Sequence, residues 1–420
     1  MHTRFRMANT AHDSTKHACE MKILAIAAYT PMPDRSTGDL RFSEMLKALA
    51  REHTVMFCAY DTIDWLGESE MNPYRSALVD SGITVCGKDP IAAIKLVPYD
   101  AILFEFYYTA RSYIDEARFW QPTARVLIDS VDVHFNRLAA KARLTKTTKD
   151  YSKARQLKSR ELTTYRKADV VTTVSEEDRK ILQREVRDLR VEIIPLIQEV
   201  PPLTETARQT SSSLLFVGNF HHHPNVDAMV YFCKEILPLI RHEAPDVRLT
   251  IVGNSPPEAV KSLAGDAVSV FGYVPDLKPL LQGSDISIAP LRYGGGIKGK
   301  ISEAMAHGLP VVTTSVGTEG FGLSPGENVL VGDTPTAFAD AVVQLIRDRQ
   351  LCDKLRKAAW AFVNERYSVS AVSKQIQHVF GTLESNPVKR LSRAKIITKA
   401  VRYHLARYVF WRFKQAKAKA

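Results

Sequence analysis

The sequence predicts an α/β protein made of two doubly wound, Rossmann-like domains facing a cleft. Three observations predict this. Short apolar runs alternate with amphipathic stretches along most of the chain, the pattern of parallel sheets covered by helices. The alternation stops once, at IQEVPPLTETARQTSSS, where Pro201, Pro202 and a Thr/Ser run read as a linker. At 420 residues the chain exceeds one ordinary core.

Taken in order, residues 1–20 are polar, lack the apolar segment of a signal peptide and read as a disordered leader, with Met7 and Met21 as alternative starts. KILAIAAYTP, from Lys22, reads as a buried strand. GDLRFSEMLKALARE follows, with Leu40, Met45, Leu46 and Leu49 at helical spacing. TVMFCAYD (strand), YRSALVDSG (helix), ITVCG and AILFEF (strands), SYIDEARFW (helix) and ARVLID (strand) continue. The charged stretch over 134–168 reads as one helix, and DVVTTVS, EEDRKILQREV and VEIIPL complete a domain over 21–200. After a linker over 201–213, LLFVGNF, VRLTIVGN, VSVFGYV, ISIAPL, PVVTTSV and NVLVGD read as strands separated by helices, giving a second domain over 214–370. Residues 371–387 read as a helix crossing back to the first domain, and 388–420 as a basic amphipathic tail.

Composition narrows the function classes. Of 57 Lys and Arg, eleven lie from Val388 onward, where there is no Asp or Glu, so the body carries 46 basic against 46 acidic residues. A neutral body argues against nucleic-acid binding by the main fold. Cys19, Cys58, Cys86, Cys233 and Cys352 are scattered and odd in number, which argues for a reducing compartment and against a disulfide framework or structural zinc. No apolar run is long enough to span a bilayer, so a cytoplasmic location is expected.

The stretch GGGIKGKISEAMAHGLPVV begins at Gly294, just after the strand ISIAPL, and enters a helix near Lys300. A helix amino terminus attracts anions through its free N–H groups and dipole. Gly294, Gly295, Gly296 and Gly299 allow close backbone approach, and Lys298 and Lys300 add charge. Glu303, one turn in, suits the vicinal hydroxyls of a ribose. A flexible turn with solvated lysines is the alternative.

On these residues the second half resembles the retaining glycosyltransferases of the GT-B fold, in the group 1 (family four) class. The resemblance rests on LLFVGNFHHHPNVDA, VRLTIVGN, VSVFGYVPDLKPLLQGSDISIAPL, GIKGKISEAMAHGLPVVTTSVGTEG and NVLVGDTPTAFADAVVQLI, and more loosely on YTPMPDRSTGDLRFSEMLKALA and KADVVTTVSEEDRKIL in the first half. It implies GT-B architecture, a nucleotide-sugar donor, transfer with retention to a saccharide or lipid-linked acceptor, and neither cofactor nor obligate metal. By the same resemblance Glu303 corresponds to the ribose-binding glutamate. The turn of Gly295, Gly296, Ile297 and Lys298 corresponds to the donor-sugar and phosphate loop. Gly38 is the first-domain loop glycine, Tyr273 and Val274 fall in the base-contacting region, and His134 matches the first-domain histidine near the sugar. His134 and Lys298 are the catalytic candidates. Two departures stand out. Gly295 occupies the place of a frequent glutamate, and Asn219 and Asn225 that of a frequent Arg and Lys. Lys298, Arg35 and Arg292 are candidates to fill those gaps, with Asn219 kept as a donor contact.

Other conspicuous residues have plainer readings. His221, His222 and His223 suit a cleft-lining loop better than a metal site, with Asn225 as a helix cap. Asp129 and Asp132 read as helix-capping or turn residues able to orient His134, and Glu319 as a loop residue ranked below Glu303. Trp65, Trp120 and Trp360 read as core or acceptor-side residues. In the tail, Ile397, Val401, Leu405, Tyr408 and Val409 share a helical face beside Lys395, Lys399 and Arg402, which suits a peripheral site on the inner, anionic face of a membrane. Rival readings are a sugar-nucleotide epimerase, a non-catalytic nucleotide-sugar-binding subunit, and a tail that binds nucleic acid.

Overall fold

The computed structural model describes residues 20–60, 68–203, 212–294, 297–383, 387–403 and 405. Trp65 and residues 1–19 of the leader lie outside these, as do Gly295, Gly296, Tyr408 and Val409.

The first sheet has seven strands: β1 Lys22–Ala27, β2 Thr54–Ala59, β3 Thr84–Val85, β4 Ala101–Glu105, β5 Arg125–Asp129, β6 Val170–Thr173 and β7 Val191–Ile193. Their order is β3-β2-β1-β4-β5-β6-β7, and every pairing is parallel. The second sheet contains β8 Ser213–Val217, β9 Arg248–Val252, β10 Val268–Phe271, β11 Ile286–Ala289, β12 Val311–Thr313 and β13 Leu330–Val331. Its order is β10-β9-β8-β11-β12-β13, again all parallel. Helices on both faces explain why the central strands are apolar runs instead of alternating sequences. In β1, Ile23, Leu24, Ala25 and Ile26 are all fully buried. Each of the larger three contributes about 1.5–3 kcal/mol of transfer free energy.

Several elements depart from the sequence reading. The charged stretch after His134 is two helices, His134–Thr145 and Thr148–Tyr165. The break is made by Lys146, left-handed at φ 54°, and by Thr147, whose hydroxyl caps the second helix at Asp150 N. Asp129 caps no helix: it sits fully buried at the end of β5 and accepts two bonds from Arg41, at 2.5 and 2.9 Å. Asp132 pairs with Arg137 at 2.9 Å. The His134–Thr145 helix is capped from a distance, since the Glu161 carboxylate accepts from His134 N and Phe135 N. Asn225 also lies inside its helix, His223–Tyr231, which has His222 at the cap. The helix Pro90–Leu96 was not expected from hydrophobic periodicity, although Asp89 caps it in front of Pro90.

The chain passes between the two halves at two adjacent points. Gln198 N donates to Tyr367 O at 2.8 Å, and Gln198 Nε2 reaches Ser302 Oγ at 2.7 Å. Trp360 ties the returning helix to the linker by donating to Pro201 O. Beyond the helix Arg349–Tyr367, Ser368 caps the helix Val369–Gly381. That helix packs on Thr37–Ala50, and its Val372, Ile376, Val379 and Phe380 join the core of the first sheet.

Candidate active site

In an open parallel sheet, ligands bind beyond the carboxyl ends of the strands, where the winding reverses. The strand orders put that reversal between β1 and β4 in one sheet and between β8 and β11 in the other. The loops leaving all four strands line one cleft of about 530 Å³ between the halves. Tyr29, Gly38, Phe106 and His134 line it from the first domain; Asn219, Tyr273, Val274, Ile297, Lys298, Lys300 and Glu303 line it from the second. The catalytic and donor-binding candidates in the described part of the chain, His134, Lys298, Gly38, Asn219, Tyr273, Val274, Ile297 and Glu303, therefore line one cleft, while Gly295 and Gly296 fall outside the described residues.

Two helix amino termini meet at the floor of the cleft. Ser36 caps Thr37–Ala50 by accepting from Asp39 N at 3.0 Å, which leaves the amides of Thr37 and Gly38 without acceptors inside the helix. A Cβ built on Gly38 meets nothing closer than Ser36 Oγ at 3.7 Å, so the backbone is open towards the cleft. The facing helix, Gly299–Ala306, has Lys298 at the cap and no side-chain cap bond. A Cβ on Gly299 would stand 2.2 Å from Thr37 Oγ1, so only glycine permits this approach. Two positive dipole ends converge here, an arrangement that costs free energy unless an anion joins them.

The charged side chains sharpen that bias. Lys298 is buried; its Nζ lies 3.5 Å from Glu319 Oε2, and burial lowers its pKa against the pull of Glu319. Glu319 thus serves the loop lysine and is absent from the cleft lining. Lys300 donates to Asn225 Oδ1 at 2.6 Å and lies 5.2 Å over the Phe216 ring. Loss of water and the neighbouring Lys298 bring its pKa down to about 8. Lys300 therefore supplies in space the ammonium that position 225 lacks. Glu303 has its carboxyl pushed up to about 7 by burial, opposed only by Lys300. Arg292 does not join this cluster. It pairs with Asp227 and lies 4.8 Å over the Tyr231 ring, outside the cleft lining.

The first-domain wall carries His134, with Nδ1 3.7 Å from Glu161 Oε1 and no hydrogen-bond partner. Glu161, not Asp129 or Asp132, stands beside its ring. The rings of Phe106, Tyr107 and Tyr108 surround it edge-on at 5.8, 5.3 and 6.3 Å. Phe106 has φ 63° and Val131 φ 28°, and both line the cleft. Non-glycine residues held in this region are strained, and such strain gathers at functional sites. At the mouth, Tyr273 Oη donates to Asp34 Oδ2 at 2.5 Å, and Arg35 stacks 4.6 Å over its ring, linking the two halves. His222 lines the cleft; its enclosure there, with Arg137 and Lys300 nearby, lowers its pKa. Arg137 is a cleft residue that sequence reasoning missed, and Asp132, expected to cap a helix or hold a turn, lines the cleft beside it. Arg137 follows His134 by three positions on one helix, the only signal that it shares the same wall.

Comparison with known proteins agrees with this geometry. Residues 211–348, about a third of the chain, match the family model of glycosyl transferases group 1. An uncharacterized 44.6 kDa protein in the cps region of Klebsiella pneumoniae is 28% identical over 173 residues, which are 39% of this chain and 45% of that protein. The chain thus spans less than half of that curated relative. Among solved structures, sucrose-phosphate synthase from Thermosynechococcus elongatus has a TM-score of 0.66 at 15% identity, covering 87% of this chain and 99% of that one. Anabaena Alr3699/HepE in complex with UDP and glucose has a TM-score of 0.61 at 15% identity, over 87% of this chain and 100% of that one. Staphylococcus aureus TarM, crystallised with UDP among its ligands, reaches 0.54 at 14% identity, over 69% and 58%. The fold is GT-B, and the family match in the second domain supports a group 1 glycosyltransferase.

Proposed function

We propose that the protein is a metal-independent, retaining glycosyltransferase of the hexosyl type. It uses a nucleoside diphosphate sugar as donor and a saccharide or lipid-linked saccharide as acceptor. One observation carries this reading: two helix amino termini, Lys298, Lys300 and the buried carboxyl of Glu303 converge on one cleft. As the bond between the anomeric carbon and the diphosphate breaks, charge grows on the leaving phosphate. Fixed amides and ammonium groups meet that charge without reorganising. Glu303 holds the ribose hydroxyls, Tyr273 and Val274 flank the base, and His134 contacts the transferring sugar from the first-domain wall. The UDP bound by two structural neighbours and the cps-region relative support a uridine donor and a place in polysaccharide synthesis.

A thermal-shift screen over UDP-, GDP-, ADP- and CMP-sugars tests the reading. One donor class should raise the melting temperature by mass action, and Glu303→Ala should lose that shift. Release of nucleoside diphosphate should then require an acceptor and continue in EDTA. The absence of glutamate at Gly295 favours a second reading, a non-catalytic binding subunit. That subunit would keep the thermal shift and release no diphosphate with any acceptor. An epimerase would convert the donor with no acceptor present.

A further inference from the structure

Among the described residues, no helix is long and apolar enough to cross a membrane. The helix over 393–403 nevertheless turns an apolar stripe outward. At about 100° per residue, Lys395, Lys399 and Tyr403 share one side of it. That side grips the first domain. Lys399 pairs with Glu116, Lys395 lies 3.8 Å from Asp115, and the Tyr403 ring meets Trp120 edge-on at 5.0 Å. Lys95 lies over both rings, at 4.2 and 5.2 Å. Upstream, Lys389 N donates to Asp169 Oδ1 at 2.7 Å, fixing where the helix starts. The opposite side carries Ile397, Val401 and Leu405, which are 62, 51 and 58% exposed. Arg390, Arg393 and Arg402 are exposed around them.

We propose that this stripe is a docking surface for an anionic lipid bilayer. Apolar side chains flanked by cations fit the boundary between headgroups and acyl chains. A second copy fits poorly, because a two-fold contact would set this basic face against itself. Nucleic acid offers phosphates but nowhere to bury the stripe. The helix sits near the amino ends of β4 and β6, since Lys95 precedes β4 and Asp169 precedes β6. The cleft opens at the carboxyl ends, so the docked protein holds it away from the lipid. That suits an acceptor reaching outward from the membrane, the one consequence that rests on the transferase reading.

Co-sedimentation of the full chain with vesicles tests the surface without donor or acceptor, so its outcome is separate from that of the transferase reading. The protein should pellet with vesicles containing phosphatidylglycerol, stay in solution with phosphatidylcholine alone, and be released by salt. Ile397→Glu combined with Val401→Glu should weaken binding about tenfold or more at unchanged melting temperature. Arg390→Gln with Arg393→Gln and Arg402→Gln should weaken it too, should the first variant misfold. Equal binding to neutral vesicles, binding to neither, or full binding by the variants would overturn the proposal. So would variant-sensitive dimerisation, or variant-sensitive retention of an oligonucleotide, without vesicle binding.

Discussion

Arg41 in the first domain and Glu303 in the second are both charged residues on helices beside the cleft, and they are treated in opposite ways. Arg41 is fully buried and satisfied. It makes two bonds to Asp129 and also donates to the carbonyls of Ile194 and Pro195. Asp129 in turn accepts from Thr172 Oγ1 at 2.6 Å. Glu303 has no such network; burial lifts its pKa, and only Lys300 opposes the lift. A closed polar network locks β5, β7 and the Thr37–Ala50 helix together. An open one stores free energy that a ligand can release. The contrast separates a structural charge from a binding charge inside one fold.

The largest expected effect breaks the closed network. Asp129→Ala leaves Arg41 buried without its anion and should cost about 3–5 kcal/mol, read by urea unfolding. Loss of less than about 1 kcal/mol would mean that the pair carries no structural weight. Glu303→Ala should do the reverse. Folding stability should hold or rise slightly, because a desolvated carboxyl is removed, while the donor-induced thermal shift disappears.

The same carboxyl gives a pH signature. With its pKa raised to about 7, Glu303 is neutral in more acidic solution and cannot accept from the ribose as a carboxylate. With its pKa lowered to about 8, Lys300 loses its ammonium in more alkaline solution. Calorimetric affinity for the nucleotide should therefore peak between about 7 and 8 and fall on both sides. Lys300→Met should flatten the alkaline limb and weaken binding about tenfold, the worth of one charge-assisted bond. The smallest effect lies at the mouth. Tyr273→Phe removes one bond to Asp34 and should weaken donor binding by about 0.5–1.5 kcal/mol.

The fold was legible because buried parallel strands leave apolar runs, as in KILAIA and SLLFV. The break at Lys146 was not, because neither glycine nor proline marks it. The site was legible where residues follow strand ends, as His134 follows β5 and Lys298 follows β11. It was illegible where partners are remote in sequence. Thr37 against Gly299, Asp34 against Tyr273 and Lys300 on Asn225 are set by the packing of the halves. The burial of Arg41 likewise depends on Asp129, 88 residues away.

The most direct test is a crystal structure with the nucleoside diphosphate of whichever donor class stabilises the protein. The diphosphate should lie about 3 Å from the amides of Gly38 and Gly299 and from the ammonium groups of Lys298 and Lys300, with the ribose hydroxyls on Glu303. A diphosphate bound away from these helix ends, or a Glu303 carboxylate that touches no part of the nucleotide, would contradict the account.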